Sequence, residues 1–301
     1  MRIALVHNER AGHRVYTVAD LVHLFEDAGY EVQHFASDEG DVDRAIRTRP
    51  DVLVASGGDG TVAKAAIALR GSVTPLFILP TGTSNNIARA VGVDAAIPML
   101  VARLSGAREA RLDIGRIAGD GHEKWFVEGA GMGFIGVMLR EDEHWWRHWL
   151  RRIRNRLPGG GDPRTRSHRS AARRVRRSAA RFVHVRADGE DLSGEYAAVE
   201  VMNIPAVGPR IVLAARADPS DARLDLVLVR PSDRHTLADH IASTKSDAPP
   251  IVARTVRRIE LDWPDSDTHV DDELWPRDAR RRPHQVAIDV AGSVSLLLPR
   301  R

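Results

Sequence analysis

The chain has 301 residues, 43% hydrophobic and 28% charged, with a net charge of +3 and no cysteine. That length supports two ordinary hydrophobic cores, and the lack of cysteine excludes disulfides and thiolate metal sites. No apolar run reaches membrane-span length, and the N-terminus enters a strand-like run at once (Arg2-Ile3-Ala4-Leu5-Val6), so no signal peptide is expected and the expected location is cytoplasmic.

From the start the pattern alternates between strand and helix. Ile3–Val6 reads as a strand and Tyr16–Ala28 as a helix (Val18, Leu21, Val22, Leu24, Phe25) that stops at Gly29. Glu31–Phe35 reads as a strand, and Asp41–Thr48 as a helix before Pro50. Val52–Ala55 and Leu76–Leu79 are short apolar runs of the kind found in buried parallel strands. Each breaks into a glycine-rich turn: Ser56-Gly57-Gly58-Asp59-Gly60-Thr61 after the first, Pro80-Thr81-Gly82-Thr83-Ser84-Asn85-Asn86 after the second. Helical patterns follow, Val62–Leu69 and Asn86–Val91. Such turns expose N–H groups at a helix N-terminus, where the dipole favours negative charge, and glycine lets the backbone close on a phosphate. One such loop would read as a tight turn. Two of matched design read as paired phosphate loops on the carboxyl rim of a parallel sheet.

Beyond about Asp113 the pattern changes to strands punctuated by turns: Leu112–Ile117, Lys124–Glu128, Arg181–Arg186, Tyr196–Asn203, Arg223–Val229, Val256–Asp262, His284–Asp289 and Ser293–Leu298. The expected fold is an α/β domain with a parallel sheet over residues 1–112 and a mainly β, sandwich-like domain over 113–290. Within the latter, residues 144–181 stand apart. Trp145, Trp146 and Trp149 lie beside Arg147, Arg151, Arg152, Arg154 and Arg156; a Pro158-Gly159-Gly160-Gly161 break follows, then Arg173, Arg174, Arg176, Arg177 and Arg181. Tryptophan flanked by arginine suits a helix lying on an anionic bilayer. It equally suits an amphipathic helix covering the β domain with a solvated arginine face. A basic stretch alone binds nucleic-acid backbones without specificity, and no nucleic-acid partner is expected.

The two glycine loops, with Ile87-Ala88-Arg89 after the second, resemble the diacylglycerol kinase catalytic domain family, which covers bacterial lipid kinases, sphingosine and ceramide kinases and, more distantly, NAD kinase. Further landmarks follow in the family's order. Asn8 comes after the first strand, and Leu112-Asp113-Ile114-Gly115 looks like the strand that opens the second domain. Asp218-Pro219-Ser220-Asp221 with Leu224-Asp225 resembles the late Asp-Gly-Leu-Leu-Asp turn, and Val270-Asp271-Asp272-Glu273 resembles Asp-Gly-Glu. The resemblance implies an NAD-kinase-like first domain, a last segment (291–301) packing back on it, and the use of ATP and Mg²⁺. ATP would lie on Gly57, Gly58, Asp59, Gly60 and Thr61, with the N–H groups of Gly58 to Thr61 on phosphate, and on Gly82, Thr83 and Asn85. Asn8 would close the site, and Ser37 stands where the family has a nucleotide-contacting Thr. Asp59 is a candidate for Mg²⁺ or for capping the helix that Val62 begins. Asp271 and Glu273 match the catalytic carboxylates, one of which would take the acceptor's proton; in an extended run both would face one side. The Asp221 carboxylate with the Asp218 and Arg223 carbonyls would bind a second, structural Mg²⁺.

Four positions depart from the family pattern: Lys64 for a Glu, Asn86 for a frequent Asp, Ala222 for the glycine of the metal turn, and Asp272 for the glycine of Asp-Gly-Glu. The last brings three carboxylates together, which is expected to raise at least one pKa, and it withholds a cheap positive φ. The expected function is an ATP- and Mg²⁺-dependent kinase for a primary hydroxyl of a diacylglycerol-like lipid, peripheral at an anionic membrane. The alternatives are a kinase for a sphingoid base, phosphatidylglycerol or a soluble polyol, and a non-catalytic nucleotide-binding protein that docks on membranes. A homodimer is compatible with each.

Overall fold

The structure is a computed structural model and describes residues 1–12, 15–141, 163–244, 247–262, 268–276 and 285–300. It forms two compact units, Met1–Ile114 with Ala291–Arg301, and Gly115–Val290.

In the first unit β1 (Arg2–His7), β2 (Glu31–Ala36), β3 (Val52–Gly57) and β4 (Leu76–Pro80) pair in parallel in the order β4-β3-β1-β2. Between and after them run α1 (Val18–Asp27), α2 (Glu39–Arg47), α3 (Asp59–Ala68), α4 (Asn86–Ala90) and α5 (Ile97–Ala102). Every residue of β3 is buried, which is why its sequence is a continuous apolar run and not an alternation. α1 starts where Thr17 and Asp20 form a capping box: Thr17 Oγ1 accepts from Asp20 N at 3.2 Å, and the Asp20 carboxylate accepts from Thr17 N at 2.8 Å. α3 starts at Asp59, ahead of its apolar spacing, because the glycine loop itself winds into the first helical turn.

β5 (Arg108–Gly119) carries the chain into the second unit, where it pairs with β6 (His122–Phe126). One sheet there runs β10 (Gly194–Tyr196), β8 (Arg181–Ala187), β16 (Arg258–Asp262) and the first half of β19 (Gln285–Leu298), with β9 (Glu190–Asp191) on β8. The other is six-stranded, in the order β15 (Val252–Val256), β14 (Leu224–Val229), β11 (Ala198–Met202), β7 (Gly129–Met132), β17 (Thr268–Val270) and β18 (Glu273–Leu274). Val185, Ile259 and Ile288 of the first meet Val199, Leu226 and Val270 of the second in one core, so this unit is a sandwich. A short pair, β12 (Ala206–Val207) with β13 (Ile211–Val212), stands outside both sheets. The outer face of the six-stranded sheet is covered by α6 (Phe134–Glu141), α7 (Pro163–Arg177) and α8 (Arg234–Ala242), whose Phe134, Ala171 and Leu237 are buried with Ala198, Met202 and Val227.

Two strand expectations change. Residues 252–262 form two strands where one was expected over Val256–Asp262, because the chain leaves one sheet after Val256 and joins the other at Arg258. The corner is fixed by Asp188 Oδ1, which accepts the N–H groups of Arg257 and Arg258 at 3.0 and 2.9 Å. The two strands expected at the end are instead one, β19, which runs through Ala291 and Gly292 and pairs Leu296 in parallel with Leu76 of β4.

No helix among the described residues is long and apolar enough to cross a membrane. Trp145, Trp146, Trp149, Arg147, Arg151, Arg152, Arg154 and Arg156 lie outside the described residues. The basic stretch after them is α7. Its Ser167, His168, Ala171, Ala172 and Val175 are buried, and Arg166, Arg169, Arg173 and Arg177 are exposed on the opposite face, as helical spacing dictates. The two ring nitrogens of His168 lie 2.9 Å from Ile241 O and 2.9 Å from Pro209 O, tying α7 to the end of α8.

Candidate functional site

The parallel strands of the first unit end on one rim. After β1, Asn8 donates its N–H to Ser56 O at 2.9 Å and its Nδ2 to Thr61 Oγ1 at 3.3 Å, which ties the first strand to the first glycine loop. The two glycine loops touch backbone to backbone. The N–H groups of Thr81 and Gly82 both donate to Gly57 O, at 3.1 and 3.0 Å. A Cβ on Gly82 would lie 2.3 Å from Gly58 Cα, and one on Gly57 would lie 2.4 Å from Thr61 Oγ1. Gly58 differs: its φ of −91° and ψ of −172° suit any residue, and a Cβ there would meet only Gly82 Cα at 3.5 Å. The demand for glycine therefore rests on Gly57 and Gly82. Asn85, at φ 52°, closes the second loop through Nδ2 donations to Pro80 O (3.1 Å) and Gly82 O (2.9 Å).

The remaining expected nucleotide residues share this rim. Gly60 is exposed and Thr83 half-buried, and Ser37, also half-buried, directly follows β2. The Thr61 N–H turns back to Gly58 O at 3.0 Å, so it is spent inside the loop it was expected to leave for phosphate. Asp59 caps a helix, but a different one: its Oδ1 accepts the Ile87 N–H of α4 at 2.9 Å, while the N-cap of α3 is Gly58. Of the departures here, Lys64 is exposed on α3, and Asn86 is buried at the start of α4.

Among the described residues no group of three or more His, Cys, Asp or Glu could hold a metal ion. Mg²⁺ is usually held by one or two carboxylates completed by phosphate, backbone and water oxygens, so a single carboxylate would suit it. Asp59, with Oδ1 on the Ile87 N–H, would be such a carboxylate in the glycine loops. The Asp218–Arg223 turn is closed on itself: Asp218 Oδ1 accepts the Ser220 N–H and hydroxyl at 3.0 and 2.6 Å, and Asp221 Oδ1 accepts the Arg223 N–H at 2.9 Å. Ala222 sits at φ 58°, the conformation that favours the glycine it lacks. Burial raises the nearby Asp225 carboxyl against the lowering Thr255 hydrogen bond, and the charge on Asp221 adds to the rise, a repulsion a cation would relieve.

In the second unit β17 and β18 make a hairpin with Asp271-Asp272 at its tip and Val270 opposite Glu273. The extended run that would aim Asp271 and Glu273 to one side is absent. The positive φ, 50°, falls on Asp271 and not on Asp272. The two carboxylates part. Glu273 pairs with Lys124 Nζ at 2.6 Å in a half-exposed setting. Asp271 turns into the loop between β6 and β7, where its Oδ1 accepts the N–H groups of Val127 (3.2 Å), Glu128 (2.8 Å) and Gly129 (3.1 Å), and its Oδ2 accepts from Val127 at 3.1 Å. Hydrogen bonds to a charged group contribute about 1.5–3 kcal/mol each, which outweighs the roughly 1–3 kcal/mol strain of a non-glycine residue at positive φ. Oδ1 is saturated, so Oδ2 is the oxygen left to take a proton. Burial pushes this carboxyl up to about 6 against the lowering effect of the three N–H donors, with a smaller push from Asp272. The expected like-charge repulsion is present but secondary.

Behind the hairpin, Glu200 of β11, Gly131 of β7 and His269 of β17 stand opposite one another across three adjacent strands. Glu200 Oε2 lies 2.7 Å from His269 Nε2, both side chains are fully buried, and His269 Nδ1 donates to Asp271 O at 2.9 Å. Burial raises the Glu200 carboxyl. Burial alone would lower the His269 imidazole, but the charge and hydrogen bond of Glu200 outweigh it and the net direction is upward. Asn203 braces the loop from below through Nδ2 to Val127 O at 2.9 Å and N–H to Glu128 O at 2.9 Å. Sequence reasoning singled out none of these residues. Its available signal was Glu128-Gly129-Ala130-Gly131-Met132-Gly133, where glycine at every second position gives a strand one bare face. A Cβ at Gly129, Gly131 or Gly133 would meet Val201 O at 2.8 Å, Glu200 Oε2 at 1.9 Å or Ala198 Cβ at 2.7 Å.

Comparison with known proteins bears on the fold and on the first unit. A protein of Mycobacterium tuberculosis (strain CDC 1551 / Oshkosh) named diacylglycerol kinase is 28% identical over 222 residues, 72% of this chain and 65% of that protein. A Klebsiella pneumoniae (strain 342) protein named "Probable lipid kinase YegS-like" is 32% identical over 105 residues, 33% of this chain and 35% of that one. The matches thus span under two thirds of these relatives' lengths. The crystal structure of a diacylglycerol kinase from Bacillus anthracis str. Sterne superposes with a TM-score of 0.66 at 18% identity, covering 98% of this chain and 96% of that one, which shows the fold. The family model of the diacylglycerol kinase catalytic domain matches residues 2–117, the segment holding both glycine loops. Over residues 2–117 the chain is thus similar to the diacylglycerol kinase catalytic domain.

Proposed function

We propose that the chain is a lipid kinase that transfers the γ-phosphoryl group of ATP to a primary hydroxyl of a diacylglycerol-like lipid. The observation that carries this reading is the backbone contact between the two glycine loops, Gly82 N–H on Gly57 O at 3.0 Å, inside a segment that matches the kinase family. Phosphoryl transfer asks a protein mainly to position its reactants and to neutralise charge. The N-terminus of α3, with Gly60 and the Thr83 hydroxyl, would hold the phosphates, and Asn8 and Ser37 the remainder of the nucleotide. Mg²⁺, held by Asp59 and the phosphates, would supply charge neutralisation. Asp271 would accept the acceptor hydroxyl's proton at Oδ2, with Oδ1 anchored on three N–H groups.

An acceptor dissolved in a bilayer obliges the enzyme to visit its surface. The exposed Arg166, Arg169, Arg173 and Arg177 of α7 supply a cationic face for anionic lipid, continuing the Trp- and Arg-rich stretch before it. The buried opposite face of α7 is equally what a covering helix requires, so vesicle sedimentation decides. Charge reversal at Arg166, Arg169 and Arg173 should release the protein from anionic vesicles and leave ATP affinity intact.

The deciding experiment is transfer of labelled phosphate from Mg·ATP to a panel of dioctanoylglycerol, sphingosine, phosphatidylglycerol and glycerol. Preferred transfer to dioctanoylglycerol is expected. Preference for another acceptor would change the substrate, and nucleotide binding without transfer to any would leave a non-catalytic binding protein.

A further inference from the structure

Asp271 is held by its backbone as well as by its carboxylate. Its N–H donates to Gly129 O at 2.8 Å, and its carboxylate sits on the N–H groups of Val127, Glu128 and Gly129. Both grips belong to one loop. The peptide on the other side, between Asp271 and Asp272, has its carbonyl held by His269 Nδ1 at 2.9 Å. A two-residue hairpin tip with a non-glycine residue at φ 50° has little intrinsic reason to stay there. Without the His269 contact that peptide could rotate, and the direction of the Asp271 side chain would change with it.

His269 is itself set by Glu200. The two stand on strands separated by β7, and the Glu200 side chain crosses above Gly131 to reach the ring, a path that exists only because Gly131 has no Cβ. The carbonyl at Nδ1 requires a proton on that nitrogen, and the 2.7 Å contact at Nε2 fixes the ring plane. As a device for stability the arrangement is poor: Glu200 Oε1 has no hydrogen-bond partner among the described residues, and apolar side chains of the same size would commonly cost the fold less. As a device for aim it is well placed, one peptide from the reacting group.

We propose that His269 and Glu200 form a positioning pair for Asp271, with Glu200 orienting the imidazole and the imidazole holding the Asp271 carbonyl so that Oδ2 points at the acceptor hydroxyl. This rests on the reading of Asp271 as the base. The pair touches neither substrate, and its effect should appear in turnover and not in nucleotide binding.

The test uses the full chain with Mg·ATP and dioctanoylglycerol in mixed micelles. The double exchange His269→Leu with Glu200→Met removes both polar groups at nearly constant volume. It should melt at or above the wild-type temperature and bind ATP normally, while kcat falls about 10–100-fold, the scale of a misplaced reacting group. His269→Asn with Glu200→Met returns a donor near the Nδ1 position and should recover most of the loss. In an Asp271→Asn background the apolar exchange should cost nothing further. A fully active apolar variant, a failed rescue, or losses that compound in the Asp271→Asn background would each overturn the pairing. Should the apolar variant not fold, His269→Asn with Glu200→Gln carries the same comparison of kcat against ATP affinity. If Asp271→Asn alone keeps wild-type turnover, the base lies elsewhere and the positioning role falls with it. An inactive Asp271→Asn beside an active apolar variant overturns only the pair.

Discussion

The two groups of proposed functional residues, one in each unit, are built on different principles. The rim of the first unit is local: each loop is one short run of sequence, and its function is written in glycines that let backbone meet backbone. The hairpin of the second unit is assembled from afar. The Asp271 carboxylate is held by N–H groups 142 to 144 residues earlier in the chain, and its carbonyl by a histidine that another strand orients. Local sites can be read from motifs. Long-range ones show only their terminal residues, and not what holds them.

The largest expected effect separates the two carboxylates of the hairpin. Asp271→Asn should lower kcat by about 10²–10⁴-fold with little change in ATP affinity, because general-base catalysis is lost and the nucleotide loops are untouched. Glu273→Gln, which weakens a half-exposed pair with Lys124, should stay within about tenfold. Equal losses in steady-state kinetics would mean that Glu273 shares the chemistry.

On the local side the contrast is between two glycines of the loops. Gly82→Ala drives a Cβ to 2.3 Å from Gly58 Cα, and overpacking of that kind costs about 1–3 kcal/mol. ATP affinity by calorimetry should fall roughly five- to hundredfold. Gly58→Ala, with 3.5 Å of room and an extended backbone, should bind ATP distinctly more tightly than Gly82→Ala. If both variants weaken binding alike, the loops are less tightly joined than their contacts suggest.

A base must be ionised, so kcat should rise with pH and level off above about 6, the value to which burial carries Asp271. Replacing Asp272 by Gly removes a neighbouring negative charge that favours the protonated form, so the rising limb should move to lower pH. A limb that stays in place would leave burial as the whole cause.

The smallest effect concerns a residue outside both groups. Ala222→Gly at φ 58° should stabilise the fold by about 1 kcal/mol, seen as a higher melting temperature without a change in turnover.

The same contrast explains what the sequence disclosed. The parallel sheet of the first unit and its glycine loops were legible because β3 and β4 are continuous apolar runs that end in turn residues. The sandwich was legible as a class, but its corner at Arg257 was not, since residues 252–262 carry no turn signal and the break depends on Asp188, 69 and 70 residues away. The helices α6 and α8 were missed for a related reason: their buried faces exist to cover a sheet, and short covering helices show weak periodicity. The hairpin was misread because Asp-Asp is an unfavoured pair for a turn needing positive φ, and what holds it, the Val127 to Gly129 backbone and His269, lies outside the motif.

One strand has a consequence in time. β19 follows every strand of the second unit in the chain, and its Leu296 lies beside Leu76 of β4 in the parallel sheet. Until it arrives, β4 presents a naked edge of N–H and C=O groups, the kind of edge that recruits other chains. The segment 2–117, which the family model matches, lacks the residues from Ala291 onward that complete its compact unit. Expressed alone it would expose that edge permanently, and during synthesis β4 must wait for the strands of the second unit to be made before β19 can pair with it.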